Sequence, residues 1–153
     1  MTATERESGG DGGGVGDQDA LVDALVQFSY RTMGVLSRLA AENDLSLTQL
    51  RVLGILRDRR LRITAIADYL GLEKSTLSGL VDRAEKRGLV KRAPSATDRR
   101  AVDVLLTASG HELSSRLTAE LRTELTPYTS TLAADEQQQV RSLLERMLGG
   151  DAL

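Results

Sequence analysis

The 153 residues suit one domain, or one domain with extensions; 41% are hydrophobic and only 3% aromatic, so aliphatic side chains must fill the core. No apolar run approaches the roughly 20 residues needed to span a membrane, and the N-terminus lacks the basic and apolar regions of a secretory signal, so a cytoplasmic chain is expected. The absence of cysteine excludes disulfides, thiolate metal sites, cysteine nucleophiles and cysteine-based redox sensing.

The net charge of −2 conceals a segregation. Residues 1–50 hold 3 basic and 8 acidic side chains (−5), residues 51–110 hold 13 and 7 (+6), and residues 111–153 hold 4 and 7 (−3). A basic centre between acidic flanks suggests one polyanion-facing surface built from the middle of the chain.

Residues 1–18 contain six glycines between Gly9 and Gly16 and almost no apolar side chains, the composition of a disordered tail. Asp19 is a candidate N-cap for a first helix over about 19–43, with Leu21, Leu25, Phe28, Thr32, Val35 and Leu39 at helical spacing. Its apolar surface is wide enough to be covered on two sides. Ser46 and Gln49 have the spacing of a capping box and open a second helix, ending in "RDRRLR". Ile63, Ile66, Ala67 and Leu70 mark a third helix closed by Gly71. Leu77, Leu80, Val81 and Ala84 repeat the pattern in a fourth, roughly Glu73 to Arg87, closed by Gly88.

The period then changes. Leu89–Ala93 and "AVDVLLT" from residue 101 read as two strands joined by "PSATDRR", with Val102, Val104 and Leu106 on one face. Thr107 can cap a fifth helix striped by Leu113, Leu117, Leu121, Leu125, Tyr128 and Leu132. Pro127 should kink it. Val140, Leu143, Leu144 and Met147 mark a last helix; with the fifth, it occupies about 108–148.

Helix, short helix, tight turn, helix, hairpin is the order of a winged helix-turn-helix, here about 46–107. The fold class expected is mainly α with a small antiparallel β-hairpin. In such folds the second helix of the pair enters the major groove of DNA. The apolar stripe of the fourth helix turns inward, which presents Lys74, Ser75, Thr76, Ser78 and Gly79 near its start, with Arg83, Lys86 and Arg87 further along. Serine and threonine hydroxyls suit phosphates and either base type, and a threonine methyl can touch a thymine methyl. The hairpin would reach the adjacent minor groove, whose negative potential attracts arginine. Arg99 and Arg100 at the tip fit that role, with Lys91 and Arg92 adding charge along the wing. Asp98 would repel phosphate if free; accepting loop amides or orienting an arginine is the better assignment.

Residues 61–110 resemble the winged-helix core of the MarR (multiple antibiotic resistance regulator) family. The resemblance is carried by "STLSGLVDRAEKRGLVKR", the "DRR" tip and the "LTASG" that leads into a helix. The outer helices resemble the family's dimerisation helices over nearly all of 19–148, within a single domain of residues 19–153. By this resemblance, Ser75, Thr76 and Ser78 align with the recognition helix and Arg99 and Arg100 with the wing. Arg62, Glu73 and Gly79 depart from the family, which often has a capping Ser or Thr, a capping Ser or Asp, and a larger polar residue there.

The first, fifth and sixth helices carry more apolar surface than one winged domain can cover. A homodimer would bury it and offer two recognition helices to one pseudo-palindromic double-stranded DNA site. The resemblance implies a repressor released by a small-molecule effector bound between the dimerisation helices and the winged lobe, where Tyr30, Arg31 and Met33 could line a pocket. No cofactor, metal site or membrane association is expected. An enzyme is disfavoured, because there is no Gly-rich phosphate loop, no metal-ligand cluster and a single histidine, His111. The competing reading is a winged helix that docks an acidic protein partner, not DNA.

Overall fold

A computed structural model describes residues 13–98 and 100–149. The described residues form six helices and a small sheet: α1 (Gly13–Glu42), α2 (Leu47–Leu56), β1 (Leu61–Arg62), α3 (Ile63–Leu70), α4 (Lys74–Lys86), β2 (Val90–Pro94), β3 (Val102–Leu106), α5 (Ala108–Thr129) and α6 (Ala134–Met147). None of these helices is long and apolar enough to cross a membrane. The chain divides into two compact units, Met1–Gly34 and Val35–Leu153, at a boundary inside α1.

In the first unit, α1 already runs at Gly13, so Asp19 lies inside the helix and does not cap it. Extending a formed helix is far easier than nucleating one. A capping residue type thus marks where a helix can start, not where it must. The rest of the glycine-rich tail, residues 1–12, lies outside the described residues.

The second unit holds the winged fold. Ser46 caps α2 as its spacing predicts: its hydroxyl accepts from the Gln49 amide at 3.1 Å, and Gln49 Oε1 accepts from the Ser46 amide at 2.9 Å. Gly71 (φ 64°) ends α3 and Gly88 (φ 71°) follows α4, both in the left-handed conformation that glycine adopts without strain. The Thr107 hydroxyl accepts from the Gly110 amide at 3.0 Å and so caps α5. Pro127 lies in the last turn of α5, so the expected interruption falls at the helix end. Leu39, Leu53, Leu56, Ile66, Leu77, Val81, Val90 and Val104 form the dry centre of the core.

The sheet has three strands in the order β1-β3-β2, all antiparallel, where the sequence suggests a two-stranded hairpin. Of the "RDRRLR" run only Arg57 closes α2, as the C-cap after Leu56; Leu61 and Arg62 pair with Val104 and Asp103. Two residues are too few for alternation to reveal a strand. Along β3, Val104 and Leu106 are buried as expected, but Val102 is 49% exposed because it lies towards the wing tip, beyond the core. On the opposite face Asp103 is only 6% exposed.

Candidate nucleic-acid interface

The packing of α4 decides which of its side chains are available. Leu77, Leu80, Val81 and Ala84 are buried, so Ser75, Gly79, Asp82 and Lys86, at successive spacings of four, three and four, share the face turned away from the core. Lys74, Ser75, Thr76 and Arg83 are exposed; Ser78 and Gly79 are half-buried. The N-cap Glu73 makes no side-chain hydrogen bond to the first turn, which leaves those amides facing outward without a capping oxygen. A Cβ added at Gly79 would meet only Arg83 Nη1, at 3.7 Å. No neighbour in this chain therefore requires a glycine there.

The wing is organised by backbone and carboxylate contacts. The Ser95 amide donates to the Ala101 carbonyl at 2.9 Å, and the Ala101 amide donates to the Asp98 carbonyl at 2.9 Å. Asp98 Oδ1 accepts from the Arg100 amide at 3.0 Å, while Oδ2 takes Arg62 Nη2 at 3.3 Å. The Asp98 carboxylate is thus engaged on both oxygens, as the reading of it as a loop organiser requires. Arg100 is exposed, and its guanidinium has no acidic partner among the described residues. Arg99 lies outside the described residues. Lys91 is exposed on β2.

Arg92 departs from its expected role. Its guanidinium bonds Asp82 at 2.7 Å and also Glu85, and its amide donates to Glu85 Oε1 at 3.2 Å. Partial burial works against its charge, but the two carboxylates outweigh it and raise its pKa. Its guanidinium thus ties β2 to α4 through two carboxylates. The sequence hides this because the partners sit on another element. Arg87 is committed in the same way. It donates to the carbonyls of Asp44 (2.6 Å) and Asn43 (2.9 Å), fastening the end of α4 to the α1–α2 junction.

Of the effector candidates, Tyr30 is 75% exposed on α1, and Met33 and Arg31 are also exposed; in the second unit a small apolar pocket is lined by Leu45, Val52, Leu80 and Val90 among others. Sequence reasoning also misses Arg60, which donates through Nε to Asp103 Oδ2 at 3.1 Å and through Nη2 to the Pro94 carbonyl at 2.7 Å. The one signal that points to it is a carboxylate in an otherwise apolar strand.

A profile described as MarR family matches residues 43–101, the α1–α2 junction through to the wing tip. An uncharacterised HTH-type transcriptional regulator of Bacillus subtilis, YfiV, is 36% identical over 109 residues, which cover 69% of this chain and 68% of that one. Among solved structures, a MepR point mutant from a multidrug-resistant S. aureus clinical isolate superposes with a TM-score of 0.73 at 24% identity, covering 85% of this chain and 96% of that chain. A second S. aureus MepR mutant, bound to oligodeoxyribonucleotide, gives a TM-score of 0.60 at 24% identity, over 85% and 96%. These relatives are regulators, not enzymes. The chain belongs to the MarR family of winged-helix, DNA-binding transcriptional regulators.

Proposed function

We propose that the protein is a homodimeric repressor that grips a pseudo-palindromic operator with two α4 helices and two wings, and lets go when a small molecule binds. The observation that carries this reading is the pairing of an outward-facing, hydroxyl-rich start to α4 with an uncommitted guanidinium at Arg100, both in the basic middle of the chain. Lys74, Ser75, Thr76 and Ser78 would contact base edges and phosphates in the major groove, and Gly79 would let the helix approach closely. Arg100, with Arg99 beside it in sequence, would enter the minor groove. Lys91 would meet the backbone, and Arg83 would reach a phosphate or base edge.

Dimerisation is supported by apolar side chains left uncovered in each unit. Leu21, Val22 and Val26 are exposed in the first, and Val140, Leu143, Leu144 and Met147 in the second. Large apolar side chains left this exposed on several helices favour burial against a second copy. Repression follows the naming of a relative, the homoprotocatechuate degradative operon repressor of Escherichia coli, 25% identical over 131 residues. The effector is carried over from the family, with Tyr30, Arg31 and Met33 as contacts once a second copy covers α1.

The test is to pass fragmented genomic DNA over the purified protein, sequence what is retained at physiological salt, and measure particle mass by light scattering. A recurring two-fold site and two chains per particle are expected. Retention indifferent to sequence would sink the operator reading, and one chain per particle at micromolar concentration would sink the dimer.

A further inference from the structure

Of the arginines between α2 and α3, Arg57 is the C-cap of α2, and two others hold the wing. Arg60 bonds Asp103 on the central strand β3 and also the carbonyl of Pro94, the last residue of β2. Because the sheet order is β1-β3-β2, this one side chain crosses the central strand and ties the chain before β1 to the point where the wing leaves the sheet. Arg62, two residues on and so on the same face, reaches Asp98 at the tip, where the same carboxylate fixes the Arg100 amide. The wing is gripped at its root and at its tip from one edge of the sheet.

The choice of residues indicates that geometry, more than stability, is at stake. A nearly buried carboxylate paired with an arginine is poor at stabilising a fold, since desolvation offsets the attraction; its better-attested use is to specify one arrangement. The planar guanidinium suits this, satisfying two acceptors in fixed relative positions. Position matters at a wing because of leverage. A five-residue strand is about 17 Å long, so a swing of about 10° at the root moves the tip by roughly 3 Å, half of a minor groove that is only about 6 Å wide.

We propose that Arg60, with its partner Asp103, and Arg62 are positioning residues that set the angle of the wing against α4, so that Arg100 meets the minor groove while α4 occupies the major groove. This rests on the DNA-binding reading above. Its consequence is that the operator's preference for A·T pairs at the wing positions, where the groove is narrow, depends on residues that never touch DNA.

The experiment compares affinities for two duplexes that carry the retained site with A·T or G·C pairs at the wing positions. The variants are Arg62→Ala, Arg60→Lys, Arg100→Ala and the paired Arg60→Met/Asp103→Leu, which leaves no buried charge unpartnered. The parent should favour the A·T duplex by about tenfold, the size of one good groove contact. Arg62→Ala and the paired variant should bring that ratio to within about threefold of unity while keeping the parent's circular dichroism spectrum and a thermal midpoint close to it. Arg60→Lys, which keeps the charge but not the two-acceptor fork, should recover part of the ratio. A paired variant that is folded and keeps the full A·T preference overturns the proposal. So does a preference lost only in proportion to unfolded protein. If the parent itself shows no preference and Arg100→Ala changes neither affinity, the minor-groove reading fails first and takes the proposal with it.

Discussion

Gly110 sits in the first turn of α5, where that helix meets the end of α4 and the start of the wing. A Cβ built there would lie 1.9 Å from the Leu89 carbonyl oxygen, 3.0 Å from its carbon and 3.3 Å from Leu106 Cβ. The oxygen cannot retreat without loss: it accepts from the Thr107 amide at 3.1 Å, and the neighbouring Gly88 carbonyl accepts from the Thr107 hydroxyl. Gly110→Ala therefore overpacks a junction made of backbone. Overpacking costs about 1–3 kcal/mol, a lost hydrogen bond adds about 1 kcal/mol, and the helical preference of alanine returns at most about 1 kcal/mol. A net destabilisation of about 2 kcal/mol is expected, or a fall in Tm of roughly 4–8 °C for a chain of this size. Thermal unfolding followed by circular dichroism at one fixed protein concentration measures it. Gly54→Ala is the control: that glycine lies inside α2, and an added Cβ would meet nothing within 4 Å. It should raise Tm by about 2–4 °C, since the alanine gain of about 1 kcal/mol is unopposed. If Gly110→Ala melts with the parent or above it, the close approach of α5 to Leu89 is refuted.

Three further outcomes follow from the same geometry. Gly79→Ala should leave the free protein as stable or up to about 1 kcal/mol more stable, yet weaken operator binding several-fold in a fluorescence anisotropy titration; undiminished binding would mean the helix does not press against DNA there. Arg92→Ala would release Asp82 and Glu85 on α4, the helix proposed to face phosphate, and operator affinity should fall by about tenfold, as expected when like charges are left unneutralised across an interface, with helix content unchanged. Ser46→Ala removes one arm of the capping box and should cost about 1 kcal/mol in denaturant unfolding, with no effect on operator affinity beyond that.

What can be read from the sequence is what local chemistry decides. Ser46 with Gln49, Gly71, Gly88 and Thr107 each mark an element boundary through a hydrogen bond or a backbone angle set within a few residues, and the structure shows each of them. The inward stripe of α4, and with it the exposure of Ser75 and Thr76, follows from helical spacing alone. What cannot be read depends on the meeting of distant segments. Asp103 and Arg60 are 43 residues apart; a carboxylate in an apolar strand hints that Asp103 has a partner but does not say which residue it is. Arg92 looks like a free cation until α4 is packed beside β2. Gly110 passes for an ordinary small residue until the Leu89 carbonyl is found beneath it. The start of α1 escapes the sequence for a different reason, since a stretch rich in glycine opposes a helix without forbidding one once the following turns exist.

The central claim is that the wing's arginine works by neutralising phosphate-lined groove on DNA. It is tested most directly by measuring how operator affinity depends on salt concentration for the parent and for Arg100→Ala. The account predicts a steep linear fall of log affinity with log salt in the parent, and in the variant both weaker binding and a slope shallower by about one for each Arg100 engaged, hence about two per dimer. Equal affinities and parallel slopes for the two proteins would contradict it.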